Sequence, residues 1–218
     1  MNSINVAIDG TSGVGKSTIA DILAEHNSMT HLDTGAMYRC VALAIYRKNI
    51  DLSDLDAVQQ VLDAITISFN DGKVLLNDED VSVEIRSNHI SNFTSKVSAI
   101  ASVRTKLVEL QQKVAENKGY ILDGRDICTT VLPNAEVKIF MSASAQARAE
   151  RRYREYIQKG IEADYDTIYK DIVARDYQDS HRAVSPLKKA EDAIEVDTSS
   201  MTIDEVVNII QSIIDKKL

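Results

Sequence analysis

Gly10-Thr11-Ser12-Gly13-Val14-Gly15-Lys16-Ser17 satisfies the pattern G-x-x-x-x-G-K-S/T and lies between an apolar run, Ile4 to Ile8, and a helical pattern, Lys16 to His26. Glycines in such a loop let the backbone wrap so that successive N–H groups point inward. The helix that follows adds the positive end of its dipole. Lys16 is spaced to reach the β and γ phosphates of a bound triphosphate, and the Ser17 hydroxyl to ligate Mg²⁺. Gly10, Thr11, Ser12, Gly13, Val14, Gly15, Lys16, Ser17 and Thr18 are therefore the expected cradle for ATP.

Outward from this loop the chain alternates short apolar runs with longer helical patterns, which is how βαβ units and a parallel sheet read in sequence. The expected strands are Ile4 to Ile8, Thr30 to Leu32, Tyr120 to Leu122, Val137 to Met141 and Ile194 to Val196. All but the second are rich in Val or Ile, as strands buried on both faces require. Helices fit at Lys16 to His26, Ala36 to Lys48, Arg104 to Lys118, Ala145 to Lys159 and Ile203 to Lys217, with Gly119 and Gly160 as stops. The stretch from Ser53 to Arg86 breaks the alternation. There Thr66-Ile67-Ser68-Phe69 and Lys73-Val74-Leu75-Leu76 flank Asn70-Asp71-Gly72, and Asp-Gly between alternating runs signals a hairpin. The expected architecture is one α/β domain: a five-stranded parallel sheet flanked by helices, with a small antiparallel insertion at about 66–81.

Composition narrows the function. The chain has 218 residues, 44% hydrophobic and 27% charged, which fits a globular domain and excludes fibrous and low-complexity classes. A formal charge of -8 opposes a broad electrostatic grip on nucleic acid, so an anionic substrate needs a local basic pocket. No apolar run approaches the ~18 residues of a membrane span and the first residues lack a basic leader. A cytoplasmic protein with neither nucleic-acid nor membrane partners is expected. Cys40 and Cys128 form no CxxC pair, and His26, His31, His89 and His181 have no ligand spacing, so reduced thiols and no metal site built by protein side chains are expected.

A triphosphate-binding loop says what is held, not what is done with it. GTPase elements are missing, since Asn117-Lys118 is followed by Gly119-Tyr120 with no specificity aspartate. Motor and nucleic-acid ATPases need more chain and more basic surface. Small phosphotransferases remain, with a binding switch that slowly hydrolyses ATP as the alternative from another class. Two further clusters, His31-Leu32-Asp33-Thr34-Gly35-Ala36-Met37-Tyr38-Arg39 and Leu122-Asp123-Gly124-Arg125-Asp126, fall at the carboxyl ends of strands, where open α/β sheets gather ligands. Arg39 and Arg125 are thereby candidates for a second phosphate facing the one held by Lys16. Asp123 suits the role of holding Mg²⁺ through water.

Arg148-Ala149-Glu150-Arg151-Arg152-Tyr153-Arg154 is a run of positive charge in which residues 148, 151 and 152 share a helix face. Two readings stand open. One is a solvated face with intrahelical ion pairs to Glu150 and Glu155. The other is a mobile lid over about 148–165, whose Arg148 and Arg152 cover the transferring phosphoryl group and exclude water. Arg175-Asp176-Tyr177-Gln178-Asp179-Ser180-His181-Arg182 continues the charged pattern and offers ribose and phosphate contacts.

The segments Ile8 through Ser17, Leu32 through Arg39, Leu122 through Asp126 and Arg175 through Leu187 together make the chain similar to the bacterial cytidylate kinases, which are P-loop nucleoside monophosphate kinases, over nearly its whole length. The resemblance implies a P-loop kinase fold with a monophosphate-binding region at 34–100. It implies a monomer that transfers the γ-phosphoryl group of ATP to CMP or dCMP, with Mg²⁺ arriving on ATP and no tightly bound cofactor. Arg39, Arg125 and Arg182 are implied at the acceptor phosphate, Arg175 and Asp179 at the ribose, and Ser95, Arg104 and Asp126 at the cytosine, with Thr34 and Tyr38 beside them. The catalytic set is then Lys16, Asp123, Arg125, Arg148 and Arg152, with Ser17 and, through water, Asp123 on the metal.

Cytosine presents an N4 amino donor beside its N3 and O2 acceptors, so a carboxylate and a guanidinium complement it. A kinase for UMP, AMP or shikimate is the alternative within the class, and Ser95, Arg104 and Asp126 discriminate. Two positions depart from the family pattern. Thr11 stands where proline is usual and should change little. Cys128 stands where glycine is usual, and a side chain there is expected to cost about 1 kcal/mol of strain or to crowd the acceptor.

Overall fold

A computed structural model describes residues 4–70 and 72–218; residues 1–3 and Asp71, the centre of the expected hairpin turn, lie outside the described residues. The chain divides into two compact units, Met1–Leu32 with Val114–Leu218, and Asp33–Lys113.

The first unit begins with β1 (Val6–Gly10), α1 (Lys16–His26) and β2 (Thr30–Asp33), which runs to the boundary between the units. After the second unit it resumes with β6 (Tyr120–Gly124), β7 (Val137–Ser142), α6 (Ala145–Gln158), α7 (Tyr165–His181), β8 (Ile194–Asp197) and α8 (Ile203–Ile214). The strands form one five-stranded sheet in the order β2-β6-β1-β7-β8. The central strand β1 runs parallel to both its neighbours, with Ile8 opposite Asp123 on β6 and Ile139 on β7. All five expected strands are present, and the parallel arrangement follows from the helices that cross between them. Val6, Ile8, Ile139 and Met141 pack with Ile19 and Leu23 of α1 and with Val206, Ile210 and Ile214 of α8. Each such side chain contributes roughly 1.5–3 kcal/mol by leaving water.

Gly10 ends β1 where it touches β7: a Cβ at this position would lie 2.1 Å from the Met141 carbonyl oxygen. Only glycine allows that approach. Gly15 has φ 95° as the residue before α1, a left-handed conformation that costs other residues about 1 kcal/mol or more. The helix α7 is not among the helices expected from the sequence. Its buried apolar residues are Ile168 and Ile172, with Tyr165 and Tyr169 partly buried beside them, and charged residues break up the pattern along the rest of the helix; Asp164 starts it by accepting the Thr167 N–H at 2.8 Å.

Residues Ile127–Val131 form a single π-helical turn after β6. The expected cost at Cys128 is corrected by this turn. Cys128 is not among the residues with positive φ, and its thiol points into the core, 3.5 Å from the Ala7 carbonyl oxygen and 3.6 Å from that of Ile139. It therefore carries no left-handed backbone strain, and its side chain fills space against β1 and β7. Cys40 and Cys128 are both free and buried.

In the second unit α2 (Thr34–Arg47) follows β2 without a loop, because Asp33 caps it by accepting the Ala36 N–H at 2.8 Å. Next come α3 (Leu55–Ala64), the strands β3 (Ile67–Asn70), β4 (Lys73–Leu76) and β5 (Glu79–Asp80), then α4 (Asn88–Val97) and most of α5 (Ala101–Ala115). The strands form an antiparallel sheet in the order β3-β4-β5. The third strand extends the expected hairpin. Asn77 and Asp78, with φ of 50° and 65°, make the two-residue turn that right-twisted hairpins favour.

Candidate active site

The phosphate loop lies between β1 and α1, and Lys16 turns back over it. Its Nζ donates to the Gly10 carbonyl at 3.0 Å and to the Thr11 carbonyl at 2.9 Å. Burial, then the charge of Arg125, lowers its pKa to about 7. A polyphosphate favours the ammonium form, so ATP binding should draw a proton onto Lys16 at and above neutral pH. The sign follows: affinity for ATP should weaken as pH rises from about 7, because the proton taken up becomes scarcer. Titration calorimetry at pH 8 in two buffers of unlike ionisation heat measures the uptake. Equal heats in both buffers would refute it.

At the head of α1 the Ser17 hydroxyl donates to Asp123 Oδ2 at 2.9 Å. Asp123 ends β6, and its other oxygen, Oδ1, lies 2.9 Å from Nε2 of His31. Burial works against charge on Asp123, yet the hydrogen bond and charge of His31, with Lys16 and Ser17, outweigh it and hold the carboxyl below its usual range. A hydroxyl and an ionised carboxylate are hard oxygen donors, the set that suits Mg²⁺ carried by a nucleotide. Among the described residues no three His, Cys, Asp or Glu side chains cluster so as to hold a metal by themselves.

The residues after β6 form a second charged group. Arg125 Nε donates to Asp179 Oδ2 on α7 at 2.8 Å, and Arg182 Nη2 lies 3.5 Å from Asp126 Oδ1. Burial would raise Asp179, but Arg125 first, then Arg175 and Arg182, hold it ionised. Asp9, inside β1, supports this group from beneath: its two oxygens accept the Ile127 and Cys128 N–H groups, each at 2.8 Å. Burial pushes Asp9 up to about 6 against those hydrogen bonds. Leaving either N–H without its acceptor would cost about 1–3 kcal/mol.

The arginines of α6 diverge in role. Arg148 is buried: it forks onto Asp176 of α7 and donates from Nη1 to the Ser12 carbonyl of the phosphate loop at 3.0 Å. Arg151 instead donates to the Thr198 carbonyl, and the Arg152 guanidinium lies 6.0 Å from the Tyr156 ring centroid. Arg154 pairs with Glu150 at 3.2 Å as a solvated face predicts, whereas Glu155 pairs with Lys159. Arg154 with Glu150 fits the solvated face, while Arg148 is tied into the first unit.

Within the second unit Asp33 both caps α2 and accepts from Arg39 Nη2 at 2.9 Å, which fixes the guanidinium at the start of the helix. Thr34 is buried in the first turn of α2. Arg104, buried on α5, lies 5.3 Å over the Tyr38 ring and donates to the Ser98 carbonyl at 3.1 Å. Ser95 sits on α4, in the turn before it. So Thr34, Tyr38, Arg39, Ser95 and Arg104 belong to this unit. Lys16, Ser17, Asp123, Arg125, Asp126, Arg148, Arg152, Arg175, Asp179 and Arg182 belong to the first.

Sequence reasoning missed the supporting roles of Asp9, His31 and Asp176. For Asp9 a signal existed, since a carboxylate inside a Val/Ile strand has to find buried donors. His31 and Asp176 had none, because neither stands in a sequence setting that demands a buried partner, and the fold alone brings them to Asp123 and Arg148.

The family model described as Cytidylate kinase matches residues 6–216. The chain is 49% identical to the cytidylate kinase of Fusobacterium nucleatum over 216 residues, covering 99% of each chain. It is 51% identical to that of Lactobacillus johnsonii over 218 residues, covering 98% of this chain and 95% of the other. Among solved structures it resembles shikimate kinase from Bacteroides thetaiotaomicron with a TM-score of 0.51 at 11% identity, covering 97% of this chain and 98% of the other, a likeness of fold alone.

Proposed function

Because the chain belongs to the cytidylate kinase family, we infer that it transfers the γ-phosphoryl group of ATP to CMP or dCMP, giving ADP and CDP or dCDP. The family match over residues 6–216 carries this reading. In the reaction an acceptor phosphate oxygen forms a bond to the γ-phosphorus as the bond from that phosphorus to the β–γ bridging oxygen breaks. The transition state is loose and spreads charge over the equatorial oxygens. The acceptor oxygen is already anionic, so positioning and charge matter more than a general base.

We assign the donor to the phosphate loop, with Lys16 at the β and γ phosphates. Ser17, and Asp123 through water, face the Mg²⁺ that ATP carries, and the metal's part is to neutralise charge on the phosphates. Following the family resemblance, Arg39, Arg125 and Arg182 are assigned to the acceptor phosphate, Arg175 and Asp179 to the ribose, and Ser95, Arg104 and Asp126 to the base. Thr34 and Tyr38 are assigned as their neighbours, and Arg148 and Arg152 to the charge of the transferring group. Cytoplasmic pools of ATP and CMP are the natural supply.

The test is ADP release with CMP, dCMP, UMP, AMP and shikimate as acceptors. Release that depends on CMP or dCMP is expected. Turnover without any acceptor would point to a slow ATPase switch, and preference for another acceptor would move the chain's specificity.

Base choice gives a sharper expectation. Asp126→Asn keeps the side chain's shape but offers either an amide oxygen or an amino group, so CMP loses a charge-assisted bond and UMP gains a donor for its O4. A mismatched buried polar pair costs about 1–3 kcal/mol, so kcat/KM for CMP relative to UMP should fall about tenfold to a hundredfold. An unchanged ratio in a folded variant leaves Asp126 as a structural partner of Arg182.

A further inference from the structure

His31 is the second residue of β2, with its side chain largely buried, and it joins two carboxylates from different elements. Its Nδ1 is 2.6 Å from Asp21 Oδ1 on α1, and its Nε2 is 2.9 Å from Asp123 Oδ1 at the end of β6. The ionised Asp123 oxygen only accepts, so the hydrogen in the Asp123 contact lies on Nε2. The two contacts are unequal. Asp21 is mostly exposed, with 69% of its side chain open to solvent, so water can replace or screen it. Asp123 is buried, and its second oxygen is already engaged by the Ser17 hydroxyl at 2.9 Å.

A carboxylate gripped at Oδ1 by His31 and at Oδ2 by Ser17 cannot turn about its Cβ–Cγ bond without breaking one of the two. We propose that His31 is a positioning residue of the donor site, whose Nε2–H sets the orientation of Asp123 toward Ser17 and so toward the metal of MgATP, with Asp21 steadying the ring. The proposal rests on the reading of Ser17 and Asp123 as the metal-facing pair. It assigns His31 no contact with nucleotide and no proton transfer. Outer hydrogen-bond partners of metal-facing groups typically govern metal affinity by ~10–100-fold, which sets the scale of the effect.

A purely structural ion pair holding β2 to α1 and β6 makes a different prediction, and the two amide substitutions separate them. Glutamine places its amide nitrogen where Nε2 stands, facing Asp123, whereas asparagine reaches only the Nδ1 position, facing Asp21. The full-length chain and its His31→Gln, His31→Asn, His31→Leu and Asp21→Asn variants are titrated with a non-hydrolysable ATP analogue, once with Mg²⁺ and once with EDTA. The quantity compared is the gain in affinity that the metal brings.

The gain should shrink about tenfold or more in His31→Leu and His31→Asn, and stay within about threefold of wild type in His31→Gln and Asp21→Asn. In steady state the KM for MgATP should rise in the same two variants while the KM for CMP holds. Recovery by asparagine as complete as by glutamine, or an undiminished gain in folded His31→Leu, overturns the proposal. If His31→Leu does not fold, the glutamine and asparagine pair decides alone. A wild-type chain that gains nothing from the metal overturns the donor-site reading itself, and this proposal falls with it.

Discussion

Lys16→Ala should remain folded while its kcat falls by about two orders of magnitude or more. The fold should survive because Lys16 donates to two carbonyls of its own loop, whereas the sheet is held by Val6, Ile8, Ile139 and Met141 against α1 and α8. Two neutral acceptors lose a donor, a cost of about 1 kcal/mol each. The reaction loses much more. A preorganised cation at the transferring phosphoryl group meets charge that develops only in the transition state, and such a group is worth ~3 kcal/mol or more. The measurement is ADP release at saturating CMP and ATP, with circular dichroism to confirm folding. A folded variant with nearly normal kcat takes Lys16 out of the phosphoryl path.

Arg125→Ala should lower kcat/KM for CMP about a hundredfold or more while the KM for ATP changes far less. Arg125 follows directly after β6, is assigned to the acceptor phosphate, and its Nε donates to Asp179 at 2.8 Å. A second consequence distinguishes this residue from Lys16. Removing Arg125 strands the largely buried Asp179, and breaking one side of such a pair typically costs ~3–5 kcal/mol, an upper figure here because Arg175 and Arg182 also lie near Asp179. Urea denaturation should therefore show Arg125→Ala clearly less stable than Lys16→Ala. If ATP and CMP parameters suffer equally, Arg125 serves the donor as much as the acceptor.

The parallel sheet was legible because its strands are short Val/Ile runs separated by helical periods, and α1 matched its expected ends because Gly15 and Lys16 announce its start. The charged helix α7 was missed although Tyr165, Ile168, Tyr169 and Ile172 recur at i, i+3, i+4 and i+7, because Asp166, Lys170, Asp171, Arg175 and Asp176 among and after them mask the stripe. The two-residue strand β5 was missed for another reason, since its pairing depends on a turn at Asn77 and Asp78 rather than on any apolar pattern. Candidate site residues could be picked out where a motif marks them, at the phosphate loop and around the ends of β2 and β6. Contacts that side chains make through the fold were illegible, as those of His31 with Asp123 and of Asp176 with Arg148. Cys128 shows the same limit from the other side. Sequence marked it as an intrusion, and the π-helical turn aims its thiol into the core.

Asp9 has a mechanical consequence. Its carboxylate ties the strand that ends in the phosphate loop to the backbone two and three residues beyond Arg125. One side chain thus acts as a splint between the seat of the leaving diphosphate and the arm assigned to the incoming oxygen. In-line displacement tolerates little error, and a misplacement of about 1 Å can cost ~100-fold in rate. With both ends of the splint inside the first unit, the spacing between them is set by that unit's own sheet and π-helical turn.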